Sequence, residues 1–277
     1  MKRICENGLW GAVDANGTTV IPCVYDRFEK YFCRYMGYGN IVSAWVCREG
    51  KWGLIDRAGK PVIPLELDEQ KWDWVRKGDK WALLHQQTQE SPLSFAFEEI
   101  TRLRYGSGKA KRNGKWGVLS NTGKVIVPFA YDEIRLTLWY GLGRGFAQVR
   151  QDDRWGMWDG FGEMLLPCGY DFIGHCHNGV FRVKKSGKWG YVNRSGQLVV
   201  PLVYDHALDF CRPEGWHRAI ARVRKKGRWG ALREDLSLDC PCRYEKLHPM
   251  EGTENAGCYY VWADGKLDMV DWNTKWR

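Results

Sequence analysis

The chain has 277 residues, 44% of them hydrophobic, and 16 are Trp. That apolar content excludes a disordered chain, and no run of eighteen apolar residues is present to make a membrane-spanning helix. A formal net charge of +9 favours acidic partners: nucleic acid, an anionic surface or an acidic protein.

The N-terminus, Met1 to Gly8, lacks the apolar stretch of a signal peptide. A cytoplasmic compartment is therefore expected, with the ten Cys reduced. From there the chain is organised by repetition. Trp followed by Gly occurs at Trp10, Trp52, Trp116, Trp155, Trp189 and Trp229, with a weaker copy at Trp81-Ala82 and a last one at Leu267-Asp268. These eight centres lie 29 to 42 residues apart. A turn pair precedes most of them, as in Asn7-Gly8, Asn113-Gly114, Ser186-Gly187 and Asp264-Gly265. Gly tolerates the positive φ that a two-residue hairpin needs.

After the Trp-Gly come two apolar residues, then Asp-x-x-Gly (Asp14 to Gly17, Asp56 to Gly59, Asp159 to Gly162), which spells a second tight turn. An apolar strand follows, with Pro at Pro22, Pro64, Pro128, Pro167, Pro201 and Pro241, always twelve residues past the Trp. Pro cannot donate to a ladder, so it is expected to close that strand. Three residues on stand Tyr25, Tyr131, Tyr170, Tyr204 and Tyr244, each followed by an acid. One acid per copy, with no paired base, reads as a lock between units. Around Trp81 the pattern departs most, with Phe97-Glu98 in place of Tyr-Asp. No helical period persists, so the class is all-β, with three short strands per unit.

The Trp-Gly pairs, the Asp-x-x-Gly turn, the Pro and the Tyr-Asp resemble the bacterial WG-repeat family over nearly the whole chain. That resemblance implies a repeat scaffold and no single chemistry. Residues 1–277 are then one array with units centred on Trp10, Trp52, Trp81, Trp116, Trp155, Trp189, Trp229 and Leu267. Three strands per unit are fewer than a propeller blade's four, and the two chain ends repeat each other instead of completing one blade. An open, curved, solenoid-like array is expected; a closed propeller-like ring is the alternative.

In a two-residue hairpin the residue five before the Trp faces it across the strands. Arg76, Lys111, Arg150, Lys184 and Arg224 hold that position, so a cation should lie over each indole. One residue nearer the turn, Arg48, Lys77, Arg112, Lys185 and Lys225 form a candidate basic stripe along the hairpin tips. It reads either as a site for an acidic partner or phosphate backbone, or as solvated turns that block edge pairing.

No phosphate loop, dinucleotide fingerprint or nucleophile elbow is present. His175-Cys176-His177 and Cys240-Pro241-Cys242 lack a matching second ligand pair, so neither metal nor cofactor is expected. The three longest spacings contain linkers rich in aromatics and Arg, the residue types of binding hot spots. Tyr35, Tyr38, Trp139, Tyr140, Phe210, Arg212, Trp216 and His217 are the candidate partner-binding residues there. The expected function is a monomeric, non-enzymatic protein-binding scaffold, in its sharper form an immunity or inhibitor protein that masks a toxin or effector. The alternatives are nucleic-acid binding through the basic tips and carbohydrate or cell-envelope binding.

Overall fold

The computed structural model describes residues 1–29, 33–34, 42–71, 74–84, 94–102, 108–120, 123–137, 145–214, 216–250 and 258–271. Every described sheet is antiparallel, and none closes on itself into a barrel. No helix among these residues is long and apolar enough to cross a membrane. The chain divides into two compact halves, Met1–Ala130 and Tyr131–Arg277. It is an all-β array of hairpin repeats.

The repeat centred on Trp189 shows the unit most completely. Its sheet runs Phe172–His177, Val180–Lys185, Lys188–Asn193 and Leu198–Tyr204 in chain order, each strand paired with the next. The last three are the strands expected from the repeat. The first is contributed by the segment that follows the preceding Tyr170-Asp171, so the sheet has four strands and not three. The repeats centred on Trp116, Trp155 and Trp229 are built the same way. Four strands is also the count of a propeller blade, so strand number no longer separates an array from a ring.

Both turns form for the reasons the residues suggest. In the hairpin before Trp189, Ser186 and Gly187 have φ of 50° and 78°, the left-handed pair whose twist matches the flanking strands. In the second turn Asp14 Oδ1 accepts the N–H groups of Asn16 (2.8 Å) and Thr18 (2.9 Å). Asp56, Asp159 and Asn193 do the same in their repeats.

Pro does not end the third strand. Strand Leu198–Tyr204 runs through Pro201, and the pairing shows why. Trp189 pairs with Tyr204 and Tyr191 with Val200, so Pro201, Leu202 and Val203 together stand opposite Gly190 alone. This is a bulge, where a missing N–H removes no ladder bond. The bulge folds over the glycine. A Cβ built on Gly190 would lie 2.4 Å from Val200 O and 2.9 Å from Pro201 O. Gly11, Gly156 and Gly230 are capped by their own bulges at 2.4 to 2.7 Å. In these repeats the residue after the Trp is therefore Gly because backbone already fills the place of a side chain.

Each core lies between consecutive sheets. Tyr191, Val200 and Tyr204 of one repeat pack on Ala207, Phe210, Ala221 and Leu232 of the next. Trp155, Met157 and Leu166 pack in the same way on Ile173, Phe181 and Val192. In the N-terminal half Ala12, Ile21 and Tyr25 meet Phe28, Ala44 and Val46. Fully burying one large apolar side chain contributes about 1.5–3 kcal/mol, so a repeat is stable through its neighbours. Second turns sit on the preceding sheet: the Cβ position of Gly196 is 2.3 Å from Leu165 O.

Replacing Gly190 with Ala should lower unfolding stability by about 1–3 kcal/mol through overpacking against the bulge. Gly169 has nothing nearer than Lys185 Nζ at 3.8 Å from its Cβ position, so Gly169→Ala should be close to neutral. Urea denaturation of the two variants measures the contrast, and equal midpoints would contradict the steric account.

Candidate functional site

The acid after each Tyr bonds forward and back. Asp205 Oδ1 takes the Lys188 ammonium at 2.6 Å, and its Oδ2 accepts the Gly227 N–H at 3.1 Å in the hairpin turn of the next repeat. Its own N–H donates to Arg224 O at 2.7 Å, on that same next repeat. Glu245 repeats the arrangement with Arg228 (3.1 Å) and Gly265 N–H (3.3 Å). Asp171 does so with Arg154 and Gly187 N–H, and Asp68 with Lys51 and Gly78 N–H. Glu98, in the most divergent copy, still accepts the Gly114 N–H at 3.0 Å and faces Lys80 at 3.8 Å. The expected lock is present, and in these five copies the cation before the Trp is its other half: Lys51, Lys80, Arg154, Lys188 and Arg228.

A second bond crosses the same joint. The guanidinium seven residues before the Trp donates to a carbonyl 25 residues ahead: Arg3 to Phe28 O, Arg182 to Ala207 O and Arg222 to Leu247 O. Arg3 and Arg182 also lie 4.0 and 4.9 Å from the centres of their own Trp10 and Trp189 rings. All five expected cation–Trp pairs form. Arg76, Lys111, Arg150, Lys184 and Arg224 sit between 5.5 and 5.9 Å from Trp81, Trp116, Trp155, Trp189 and Trp229. Each contributes about 0.5–1 kcal/mol at such half-exposed sites. The indole faces are thus occupied from within the chain.

His206 stands between Trp189 and Trp229, with ring centres 5.9 and 5.6 Å away. Desolvation, together with Arg224, Arg182 and Lys184, holds its imidazole below the ordinary value of 6.5. The ring is neutral in the fold at a pH where the unfolded chain binds a proton. Its contribution to stability is present above pH 6.5 and is lost as pH falls below it.

The candidate partner-binding residues divide three ways. Tyr35, Tyr38, Trp139 and Tyr140 lie outside the described residues. Phe210 and Trp216 are core residues, which corrects their assignment to a binding face. Phe210 packs on Tyr191 at 5.5 Å between ring centres, and Trp216 on Tyr259 at 5.3 Å. Trp216 Nε1–H is satisfied by Met250 O at 2.6 Å. Arg212 and His217 are exposed on either side of them.

The five stripe residues are all exposed at hairpin tips, but their charges are not equivalent. In the N-terminal half Arg48 pairs with Glu49 at 3.5 Å and Lys77 with Glu66 at 2.7 Å. Arg112 lies over Phe129 at 4.5 Å. In the C-terminal half Lys185 lies 5.4 Å from the Tyr170 ring, and Lys225 makes no ion pair with any described residue. Lys226, in the turn itself, adds an exposed charge that the repeat pattern did not single out.

Around Cys23, Cys168 and Cys242, which follow the repeat Pro, desolvation pushes each thiol above its ordinary range. That is opposite to the lowering that activates a nucleophile. Among the described residues no group of three or more His, Cys, Asp or Glu is placed to hold a metal ion.

Two measurements check the joints. Asp205→Ala removes both acceptors and should lower the urea midpoint at pH 7, with Asp205→Asn in between because its amide oxygen still accepts from Gly227; an unchanged midpoint in both would refute the lock. The thermal midpoint should fall from pH 7.5 to 5.5, and His206→Phe should flatten that slope. His248, also held low by desolvation, Arg222 and Lys246, keeps the remainder. A slope unaffected by His206→Phe would contradict its neutral stacking.

A family model for the WG containing repeat matches residues 10–32, 52–69, 116–155, 155–189 and 189–229, more than half of the chain. No curated protein matches. Solved structures do, at low likeness. A eukaryotic initiation factor is 10% identical over 99% of this chain and 82% of its own, with a TM-score of 0.35. Kluyveromyces lactis Hsv2 is 12% identical over 88% of this chain and 73% of its own, with a TM-score of 0.26. PorZ, a surface component of the type-IX secretion system of Porphyromonas gingivalis, is 8% identical over 83% of this chain and 36% of its own, with a TM-score of 0.28. Superpositions this weak carry no argument about what the chain does. The five repeat matches do identify it: the chain belongs to the WG-repeat family.

Proposed function

We propose that this chain is a non-enzymatic scaffold that holds a protein partner. The observation behind this reading is how the recurring charges are used. The acids Asp68, Glu98, Asp171, Asp205 and Glu245 each bond a cation behind and a backbone N–H ahead, and the cations over the indoles complete the same joints. Residues spent on holding one repeat to the next serve architecture. What varies from copy to copy, and stays exposed among the described residues, is the surface at the hairpin tips. Repeat arrays characteristically bind through such variable surfaces.

An open depression of about 530 Å³ in the last two repeats is lined by Arg228, Arg243, Tyr244, Asp264 and Asp268, among others. Arg228 is held by Glu245, and Arg243 lies against Tyr244, so these arginines too have structural partners. In its sharpest form the reading makes the partner a toxin or effector that the array masks.

The test is capture of a partner on the immobilised full chain, followed by titration of the purified partner in a calorimeter. A saturable complex of defined stoichiometry, with the partner chemically unchanged, is expected. For a masked toxin, its activity should fall in step with complex formation. Chemical turnover of the partner would contradict the proposal, as would a complex that disappears on nuclease treatment.

A further inference from the structure

The tips of the C-terminal half stand in a fixed order. Asp171 ties Arg154 to the turn at Gly187, Asp205 ties Lys188 to the turn at Gly227, and Glu245 ties Arg228 to the turn at Gly265. Four hairpin tips therefore lie side by side, and each joint seats its neighbour.

Their charges differ along this row. The first tip carries exposed Asp152 and Asp153. The second carries Lys184, Lys185 and Lys188, and the third Arg224, Lys225, Lys226 and Arg228. The fourth carries exposed Asp264 and Lys266. Lys184 and Arg224 are turned onto Trp189 and Trp229, and Lys188 and Arg228 are held by the joint carboxylates. Lys185, Lys225 and Lys226 remain, exposed and outside any ion pair with a described residue.

We propose that these two central tips are a docking surface for a short acidic segment of a partner protein. This rests on the scaffold reading and supplies its contact surface. Facing sheets pack about 10 Å apart. An extended chain advances about 3.3 Å per residue and alternates its side chains between two faces, so carboxylates two to four residues apart on one face, about 7 to 13 Å, bracket the distance from Lys185 on one tip to Lys225 or Lys226 on the other. A segment of about five to seven residues covers both tips.

The acids of the first tip and the occupied indole faces decide between macromolecules. A nucleic-acid strand prolongs its charge in both directions, and single-strand sites cover roughly four or more nucleotides while stacking bases on free aromatic faces. Here such a strand would run onto Asp152 and Asp153 on one side, and on the other would meet Asp264 and Lys266, which cancel. The faces of Trp189 and Trp229 are already taken by Lys184, Arg224 and His206. A local acidic epitope fits within the boundary; a continuous polyanion does not.

The test uses the full chain and a fluorescent heptapeptide of alternating Asp and Glu, with a nine-residue thymidine oligonucleotide and a Lys heptapeptide as comparators. The acidic peptide should bind at 50 mM salt and weaken at least tenfold at 300 mM, since exposed charges are screened over about 8–10 Å. The triple variant Lys185→Glu, Lys225→Glu, Lys226→Glu should weaken it at least tenfold with an unchanged thermal midpoint. The pair Arg48→Glu, Lys77→Glu, at already neutralised tips, should change it less than twofold. Tighter binding of the oligonucleotide, no binding of the acidic peptide, or equal losses in the two variants would each overturn the assignment. A purified partner that still binds the triple variant would overturn this surface and leave the scaffold reading standing; finding no protein partner at all would defeat that reading instead.

Discussion

The buried clusters of this molecule lie between sheets. A four-stranded antiparallel meander buries one face only by lying against another, and in the clusters of either half the other is a neighbouring repeat. Tyr191 is fully buried because Phe210 and Leu232 arrive from the following sheet. Phe181 is buried in the same way against Trp155, Met157 and Leu166 of the sheet before. Apolar burial drives the stacking but is non-directional, so it leaves the register between sheets unspecified. The carboxylate after each Tyr specifies it. With one oxygen on a cation behind and the other on a turn amide ahead, it allows a single offset between consecutive sheets. Because the turn is the group it seizes, the same bond decides where the hairpin tip stands.

That arrangement explains the composition. Trp supplies a broad ring on which a cross-strand cation can lie, and Gly leaves room for the bulge that carries Pro. Many of the cations serve the joints: Lys51, Arg154, Lys188 and Arg228 face acids, and Arg3 and Arg182 reach carbonyls on the next sheet. Net charge is therefore a poor guide to the partner. The relevant charge is the part left after the joints are satisfied, which on the two central tips of the C-terminal half is Lys185, Lys225 and Lys226.

Local features were readable in the sequence because they depend on local chemistry. Asx turns, left-handed turn pairs and cross-strand cations each need only a few adjacent residues, and all formed where the spacing put them. The role of Pro was misjudged because a bulge is a property of pairing: nothing near Pro201 reveals that three residues will face Gly190 alone. The fourth strand left a trace, the alternation Glu133-Ile134-Arg135-Leu136, hidden in what read as a linker. Phe210 and Trp216 could not be placed from composition, since an aromatic in an irregular segment suits a core and an interface equally well. Tertiary packing made them core. The 17-residue spacing from the cation before the Trp to the acid four residues past the Pro, as in Lys51 to Asp68, Lys188 to Asp205 and Arg228 to Glu245, is the clearest trace of the joint in the sequence.

Hydrogen exchange at individual turn amides tests the joint most directly. In the native chain the amides of Gly187, Gly227 and Gly265 should all be protected, each by the carboxylate of the repeat before it. In Asp205→Ala, exchange at Gly227 should accelerate while Gly187 and Gly265, held by Asp171 and Glu245, keep their protection. An unchanged rate at Gly227 would show that the carboxylate does not hold the next repeat, and would contradict the account.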